Sequence, residues 1–88
     1  MAHVLAKLRG AKFEDIKSVL KADVLKHAEQ GLYLKHVWRN ADDSNEVLFI
    51  FQTNDLTRAR KYIESIHAQA LKENPSVNLP QMTFLDDK

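Results

Sequence analysis

Two strand-like runs joined by a short polar segment constrain this chain more than any other feature of its sequence. Residues 32–40 read LYLKHVWRN and residues 46–53 read EVLFIFQT, both rich in β-branched and aromatic side chains, with ADDSN between them. Asp and Asn favour tight turns because their side chains accept hydrogen bonds from nearby backbone N–H groups. The pattern therefore predicts a β-hairpin over residues 32–53.

Both faces of this hairpin carry large apolar side chains. With a loop of residues 41–45 and no bulge, three cross-strand pairs are predicted: Arg39 with Val47, Val37 with Phe49, and Lys35 with Phe51. One predicted face then holds Tyr33, Lys35, Val37, Arg39, Val47, Phe49, Phe51 and Thr53. The other holds Leu32, Leu34, His36, Trp38, Leu48, Ile50 and Gln52. A half-exposed sheet alternates cleanly between apolar and polar side chains, so we expect both faces of this sheet to be covered.

The rest of the chain predicts two more strands and two helices. Strict alternation predicts a strand over residues 3–9, and residues 81–86 alternate in the same way. Helical spacing predicts one helix over residues 13–30, closed by Gly31, and a second that begins after Asn54 or Asp55 and runs to about Glu73. The stripe of the first helix is Phe13, Ile16, Leu20, Val24 and His27, and that of the second is Leu56, Ala59, Ile63, Ile66 and Ala70.

This element order, βαββαβ, predicts a single ferredoxin-like α+β domain over residues 1–88. In that fold two helices cover one face of a four-stranded antiparallel sheet. The second apolar face then needs another cover, and a chain of 88 residues has no further element to supply it. We therefore expect a homodimer in which two sheets pack face to face.

Composition excludes several classes of function. The chain has no cysteine, which excludes thiol catalysis, cysteine-based zinc sites and a disulfide framework. Thirteen Lys and Arg against twelve Asp and Glu give a net charge of +1, which provides no electrostatic basis for binding nucleic acid or anionic membranes. No apolar run approaches the roughly 18 residues of a membrane span, and the N-terminus lacks the apolar core of a signal peptide. We expect a cytoplasmic protein that does not associate with membranes.

Three segments carry a family resemblance: KFEDIKSVL at residues 12–20, RNADDSNEV at 39–47 and NDLTRARKYIES at 54–65. They resemble the dimeric α+β barrel superfamily, small proteins of the antibiotic-biosynthesis-monooxygenase and cyclase-like kind. The resemblance implies a ferredoxin-like subunit whose sheet pairs with a second sheet into a barrel. The superfamily includes cofactor-free monooxygenases, haem-degrading enzymes and proteins without an established activity, so it constrains the fold more than the function. Related sequences often carry a histidine in the first helix and a tryptophan before the second; here those positions are Asp23 and Thr53, so no catalytic residue is transferred.

Residues of the hairpin are the candidates for a ligand site. His36, Trp38 and Gln52 share a predicted face, and inside a barrel they would form an aromatic, hydrogen-bonding wall for a small apolar or aromatic molecule. The competing interpretation is that Trp38 packs at the dimer interface or against a helix. If the opposite face lines the barrel, an anionic ligand is favoured by a different set: Tyr33, Lys35 and Arg39.

The sequence predicts no metal site and no cofactor, because His3, His27, His36 and His67 lack the spacing of metal ligands. His27 lies on an apolar helical stripe and is interpreted as a core or helix-end residue. Enzyme status stays open, with a cofactor-free monooxygenase-like reaction as the alternative to simple ligand binding. RNA binding is the least favoured function: Phe49 and Phe51 could stack bases, but EVLFIFQT lacks the basic, glycine-bearing signature of RNA-recognition strands.

Overall fold

The computed structural model describes residues 1–87, which form four strands and three helices. In chain order these are β1 (Ala2–Arg9), α1 (Phe13–Ala22), α2 (Val24–Glu29), β2 (Tyr33–Arg39), β3 (Glu46–Thr53), α3 (Leu56–Glu73) and β4 (Gln81–Leu85). The sheet order is β2-β3-β1-β4, and every neighbouring pair is antiparallel. The predicted ferredoxin-like α+β fold is confirmed.

The first helical segment is divided, so the prediction of two helices is wrong. The break is at Asp23, whose backbone has φ −99° and ψ 9°. Backbone bonding nevertheless continues across it, because the Asp23 N–H donates to the carbonyl of Val19 and the Asp23 carbonyl accepts from the N–H of His27. The apolar periodicity therefore gives no sign of an interruption. Its effect is local: Val24, predicted on the buried stripe, is 39% exposed.

The core lies between the helices and one face of the sheet. Alternate residues of the two central strands point into it, as the alternation of β1 predicts. The buried apolar side chains are Val4, Ala6 and Leu8 of β1, Val47, Phe49 and Phe51 of β3, Leu20 of α1, Ala59 and Ile63 of α3, and Leu32. Leu32 was predicted on the opposite face, but it precedes β2 and enters this core instead.

Asn and Asp side chains form the hairpin turn in the way the sequence predicts. The Asn40 Oδ1 accepts from the N–H of Asp42 at 2.9 Å, and the Asp43 Oδ1 accepts from the N–H of Asn45 at 3.0 Å. The pKa of the Asp43 carboxyl is lowered mainly by the hydrogen bond from the Asn45 N–H. The Arg9 guanidinium, 2.6 Å from the carboxylate, lowers it further. These contacts fix the β2–β3 register at the turn.

A β-bulge at Lys35 changes the predicted faces at the other end of the hairpin. Arg39 pairs with Val47 and Val37 with Phe49 as predicted, but Leu34, not Lys35, pairs with Phe51. A bulge places one extra residue in one strand, so every residue before it changes face. Leu34 therefore packs towards the core and Tyr33 joins the opposite face, which brings a large apolar side chain inward in place of a lysine.

The sheet face turned away from the helices is called the open face below. Its register groups residues of all four strands: His3, Leu5, Lys7, Tyr33, His36, Trp38, Leu48, Ile50, Gln52, Gln81, Thr83 and Leu85. Tyr33, Trp38 and Leu85 are each more than 40% exposed. Half of these twelve side chains are apolar, and the three helices of residues 1–87 lie on the other side of the sheet. No helix in this described range is long and apolar enough to cross a membrane.

Candidate functional site

An apolar cavity of about 180 Å³, partly open to solvent, lies between the helices and the sheet face that they cover. Leu20, Leu32, Phe49, Phe51 and Ile63 supply much of its wall, and all five belong to the buried core. A cavity of about 150 Å³ with similar walls admits benzene. This one therefore has room for a molecule of about one aromatic ring with a small substituent.

The end of α2 places His27 in the cavity wall. The Leu32 N–H donates to the His27 carbonyl at 2.9 Å and the Gly31 N–H donates to the Ala28 carbonyl at 3.0 Å. These two bonds form a Schellman motif, in which Gly31 adopts φ +78°. The sequence prediction of a glycine cap is thus confirmed. Because Leu32 lies beside His27 in this motif, one helix end supplies both an apolar and an imidazole side chain to the site.

The His27 ring contacts an aromatic side chain, and one of its two nitrogens is buried. Its ring meets the Phe51 ring in an edge-to-face contact, with centroids 5.3 Å apart and planes at 78°. Burial lowers the His27 pKa, and this outweighs the opposing charge of Asp23; nearby Lys26 lowers the pKa further. The Nδ1 atom is buried and has no hydrogen-bond partner. His27 is therefore a neutral imidazole at neutral pH.

A second imidazole reaches the cavity from α3. His67 lies four residues after Ile63, so helical spacing brings both side chains to the same side of the helix. Burial lowers the pKa of His67 as well. Tyr62 of the same helix also lines the cavity. The site thus combines two neutral imidazoles and a phenol with an otherwise largely apolar wall.

The hairpin residues predicted to bind a ligand lie elsewhere. His36, Trp38 and Gln52 remain together on the open face, where the His36 and Trp38 rings stack with centroids 5.0 Å apart and planes at 21°. None of the three lines the cavity. Their role in ligand binding stays a prediction.

The alternative set of Tyr33, Lys35 and Arg39 does not form a common face. The bulge places Tyr33 on the open face. The Arg39 guanidinium instead lies 5.5 Å from the centroid of the Phe13 ring, on the helix side of the sheet. Phe49 and Phe51 are also on the helix side, only 7% and 4% exposed. The stacking platform required by the RNA-binding hypothesis is therefore not available.

Sequence reasoning missed the cavity because its walls come from elements far apart in the chain. The signal that was present is His27 on the predicted inward stripe of the first helix. His67 was not on the stripe predicted for the second helix, although it lies one turn after Ile63, which was. Asp23, at the position where the family resemblance implies a histidine, also lines the cavity. No group of three or more His, Cys, Asp or Glu side chains within residues 1–87 is arranged to hold a metal ion.

Acidification is expected to destabilise the protein through these two histidines. Their pKa values are lowered from 6.5 in the folded state, so the unfolded chain takes up protons first as the pH falls. Stability is therefore fully present above about pH 6.5 and is lost as the pH falls through the folded pKa values. Asp43 and Asp87 also have lowered pKa values, but these affect the unfolding free energy only below the ordinary aspartate value of 3.8. Urea unfolding between pH 7.5 and about pH 5 measures the histidine effect separately.

The matched variants are His27→Gln and His67→Gln, which keep a polar side chain that does not titrate. Each is expected to reduce the dependence of unfolding free energy on pH in this window. A slope unchanged in the double variant would contradict the assignment.

Comparison with known proteins shows the fold. No protein-family model matches the sequence, and a search of curated proteins gives no significant match. Two solved structures match the whole of this chain. One is a protein from Deinococcus radiodurans provisionally described as an antibiotic biosynthesis monooxygenase, with a TM-score of 0.64, 14% identity and 93% of its chain covered. The other is an uncharacterized NIPSNAP domain protein from Burkholderia xenovorans, with a TM-score of 0.60, 18% identity and 95% of its chain covered. Both support the ferredoxin-like fold implied by the family resemblance.

Proposed function

We propose that this protein binds a small, uncharged apolar or aromatic molecule in the cavity between its helices and its sheet. The cavity itself carries the proposal: about 180 Å³ of space walled by core side chains, with neutral imidazoles from α2 and α3. None of the lining residues, all within the described part of the chain, is Lys or Arg, and Asp23 is the one acidic group among them. An anionic ligand would lose its hydration without gaining a cationic partner.

The second part of the proposal is that the protein acts as a homodimer through the open face. Leu5, Leu48 and Ile50 lie on this face in the two central strands, and Trp38 and Tyr33 flank them on β2. Neighbouring apolar side chains on a sheet face that no helix covers are typical of an interface. In such a dimer His36, Trp38 and Gln52 would lie between the two sheets, where the sequence predicts a ligand site. The absence of cysteine supports the cytoplasmic location that we also infer.

A monooxygenase-like reaction is the second candidate function. It is favoured by the fold shared with the Deinococcus radiodurans protein and by two neutral imidazoles beside a site of aromatic size. Such a reaction would convert a bound phenol to a quinone: one atom of dioxygen enters the ring, the other leaves as water, and the phenol itself supplies the electrons. Consumption of oxygen by the metal-free protein in the presence of a bound aromatic compound distinguishes an enzyme from a binding protein.

Filling the cavity is expected to abolish ligand binding. Ile66 lines the cavity and is 41% exposed, so in an Ile66→Trp variant the larger ring can occupy the space. Toluene and indole are suitable probes. At a concentration one hundred times the Kd a ligand stabilises its protein by about 2.7 kcal/mol, which raises the Tm of a domain this size by about 10 °C or more. We expect that rise for the wild type and little or none for Ile66→Trp.

The matched control is Leu71→Trp. Leu71 is on the same helix and is 45% exposed, but it does not line the cavity. This variant should retain the full Tm rise. Equal responses of the two variants, or no response of the wild type to any neutral aromatic probe, would contradict the proposal.

A further inference from the structure

We propose that His27 selects ligands that carry a hydrogen-bond acceptor, because the proton of its neutral ring is on Nε2 and is donated into the cavity. The ligand class is then an uncharged aromatic carbonyl compound, such as an aryl ketone, aldehyde or amide. This inference rests on the proposed function and specifies the chemistry of the same site.

The position of the proton follows from the enclosed nitrogen. Among the side-chain nitrogens and oxygens of residues 1–87, only Nδ1 of His27 is both buried and without a partner. In a neutral imidazole one nitrogen holds the proton and the other has a lone pair. Among backbone groups, orphaned buried N–H groups are rarer than under-satisfied carbonyl oxygens, and we apply the same order to the ring nitrogens. The tautomer with a bare Nδ1 and a protonated Nε2 is therefore the less costly one at this position.

Covalent geometry and packing direct Nε2 towards the ligand. Nδ1 is bonded to Cγ and so lies near the helix backbone, whereas Nε2 is on the far edge of the ring. The Schellman motif at Gly31 fixes the backbone of His27, and the Phe51 ring contacts the imidazole edge to face. Because His27 lines the cavity, Nε2–H is the donor that a molecule in the cavity can meet. It gains a partner only when the ligand offers an oxygen or nitrogen lone pair.

The charges around the ring restrict the acceptor to an uncharged group. Asp23 and Lys26 are the charged residues that act on His27 electrostatically, and burial has the larger effect on its pKa. Asp23 also lines the cavity, and no cationic side chain does within the described residues. A carboxylate would therefore approach an acidic group in an apolar site, whereas a carbonyl oxygen accepts the imidazole proton without bringing a charge.

The test compares acetophenone with α-methylstyrene, in which a methylene group replaces the carbonyl oxygen and the shape is preserved. One neutral hydrogen bond corresponds to about a threefold to tenfold difference in affinity, and we expect wild-type protein to prefer acetophenone by about that factor. His27→Leu should lose this preference and favour α-methylstyrene, because the ketone oxygen would then be buried without a donor. His27→Gln should retain part of the preference, because its amide N–H extends to a similar place. The control is Leu25→Ala on the same helix, at a side chain that is 80% exposed, and it should retain the full preference.

Nitrogen-15 NMR of the histidine ring gives a second measurement that needs no substitution. We expect the His27 proton on Nε2 at neutral pH, with a change in the Nε2 resonance when acetophenone is added. A proton on Nδ1, donated to the Phe51 ring, would overturn the inference, as would equal wild-type affinity for the two compounds or a preference that survives in His27→Leu. Those results leave the cavity as a binding site. Failure of both compounds to bind would instead overturn the proposed function.

Discussion

Replacement of Phe51 by aspartate is expected to unfold the protein. Phe51 is 4% exposed and packs against the rings of Phe49, with centroids 5.8 Å apart, and His27. Loss of a buried phenylalanine side chain costs about 3–5 kcal/mol, and a buried carboxyl group without a partner adds several more. Small domains have only about 5–15 kcal/mol of stability in total. Circular dichroism should show loss of structure, and urea titration should show no cooperative transition.

The milder variant Phe51→Leu keeps an apolar side chain and should remain folded at reduced stability. Leu25→Asp is the surface control, because Leu25 is on a helix and 80% exposed, and it should unfold close to the wild-type midpoint. A Phe51→Asp protein with a cooperative transition within about 1 kcal/mol of wild type would show that Phe51 does not belong to the core. The same result would also contradict the assignment of Phe51 to the wall of the proposed ligand site.

Local patterns in the sequence account for most of the fold. The alternation of β1, the turn chemistry of Asn40 and Asp43, and the glycine cap at Gly31 each depend on residues close together in the chain. Such signals can be recognised without knowledge of the tertiary structure. The order of the elements then leaves few topologies to consider, which is why the ferredoxin-like fold could be predicted.

The bulge at Lys35 could not be predicted because the sequence around it alternates regularly. Leu34, Lys35 and His36 fit an uninterrupted strand as well as a bulged one, and no glycine marks the position. What decides between them is whether Leu34 or Lys35 packs under the helices, which depends on tertiary packing. That single residue determines which side of the sheet Tyr33 occupies.

The ligand cavity could not be predicted for a related reason. Its volume is what remains after α1, α2, α3 and the sheet have packed together, and no segment specifies it alone. His27 was visible on the predicted stripe of the first helix, whereas His67 was not part of the stripe predicted for the second, and their meeting at one cavity depends on how the helices cross the sheet. Burial, which lowers their pKa values, is likewise a property of the folded chain.

Replacement of Ile50 by aspartate is expected to separate the proposed dimer into folded monomers. Ile50 is next to Phe51 in β3 but lies on the open face, where it pairs with Leu5 on one side and His36 on the other. A stable interface buries about 800 Å² on each partner, and a molecule of 32 × 31 × 24 Å has a face broad enough for this. A charge in the middle of such an interface would have no partner and would oppose association by several kcal/mol.

Sedimentation should therefore give a dimer for the wild type and a monomer for Ile50→Asp, while circular dichroism shows the same secondary structure in both. Leu25→Asp introduces the same charge on the helix side and should remain dimeric. The variants at Phe51 and Ile50 thus test the two faces of one strand. Phe51→Asp is expected to unfold the protein, whereas Ile50→Asp is expected to prevent only dimerisation. A wild-type protein that stays monomeric and stable at high concentration would contradict the dimer, because the open face would then remain in contact with water without a partner.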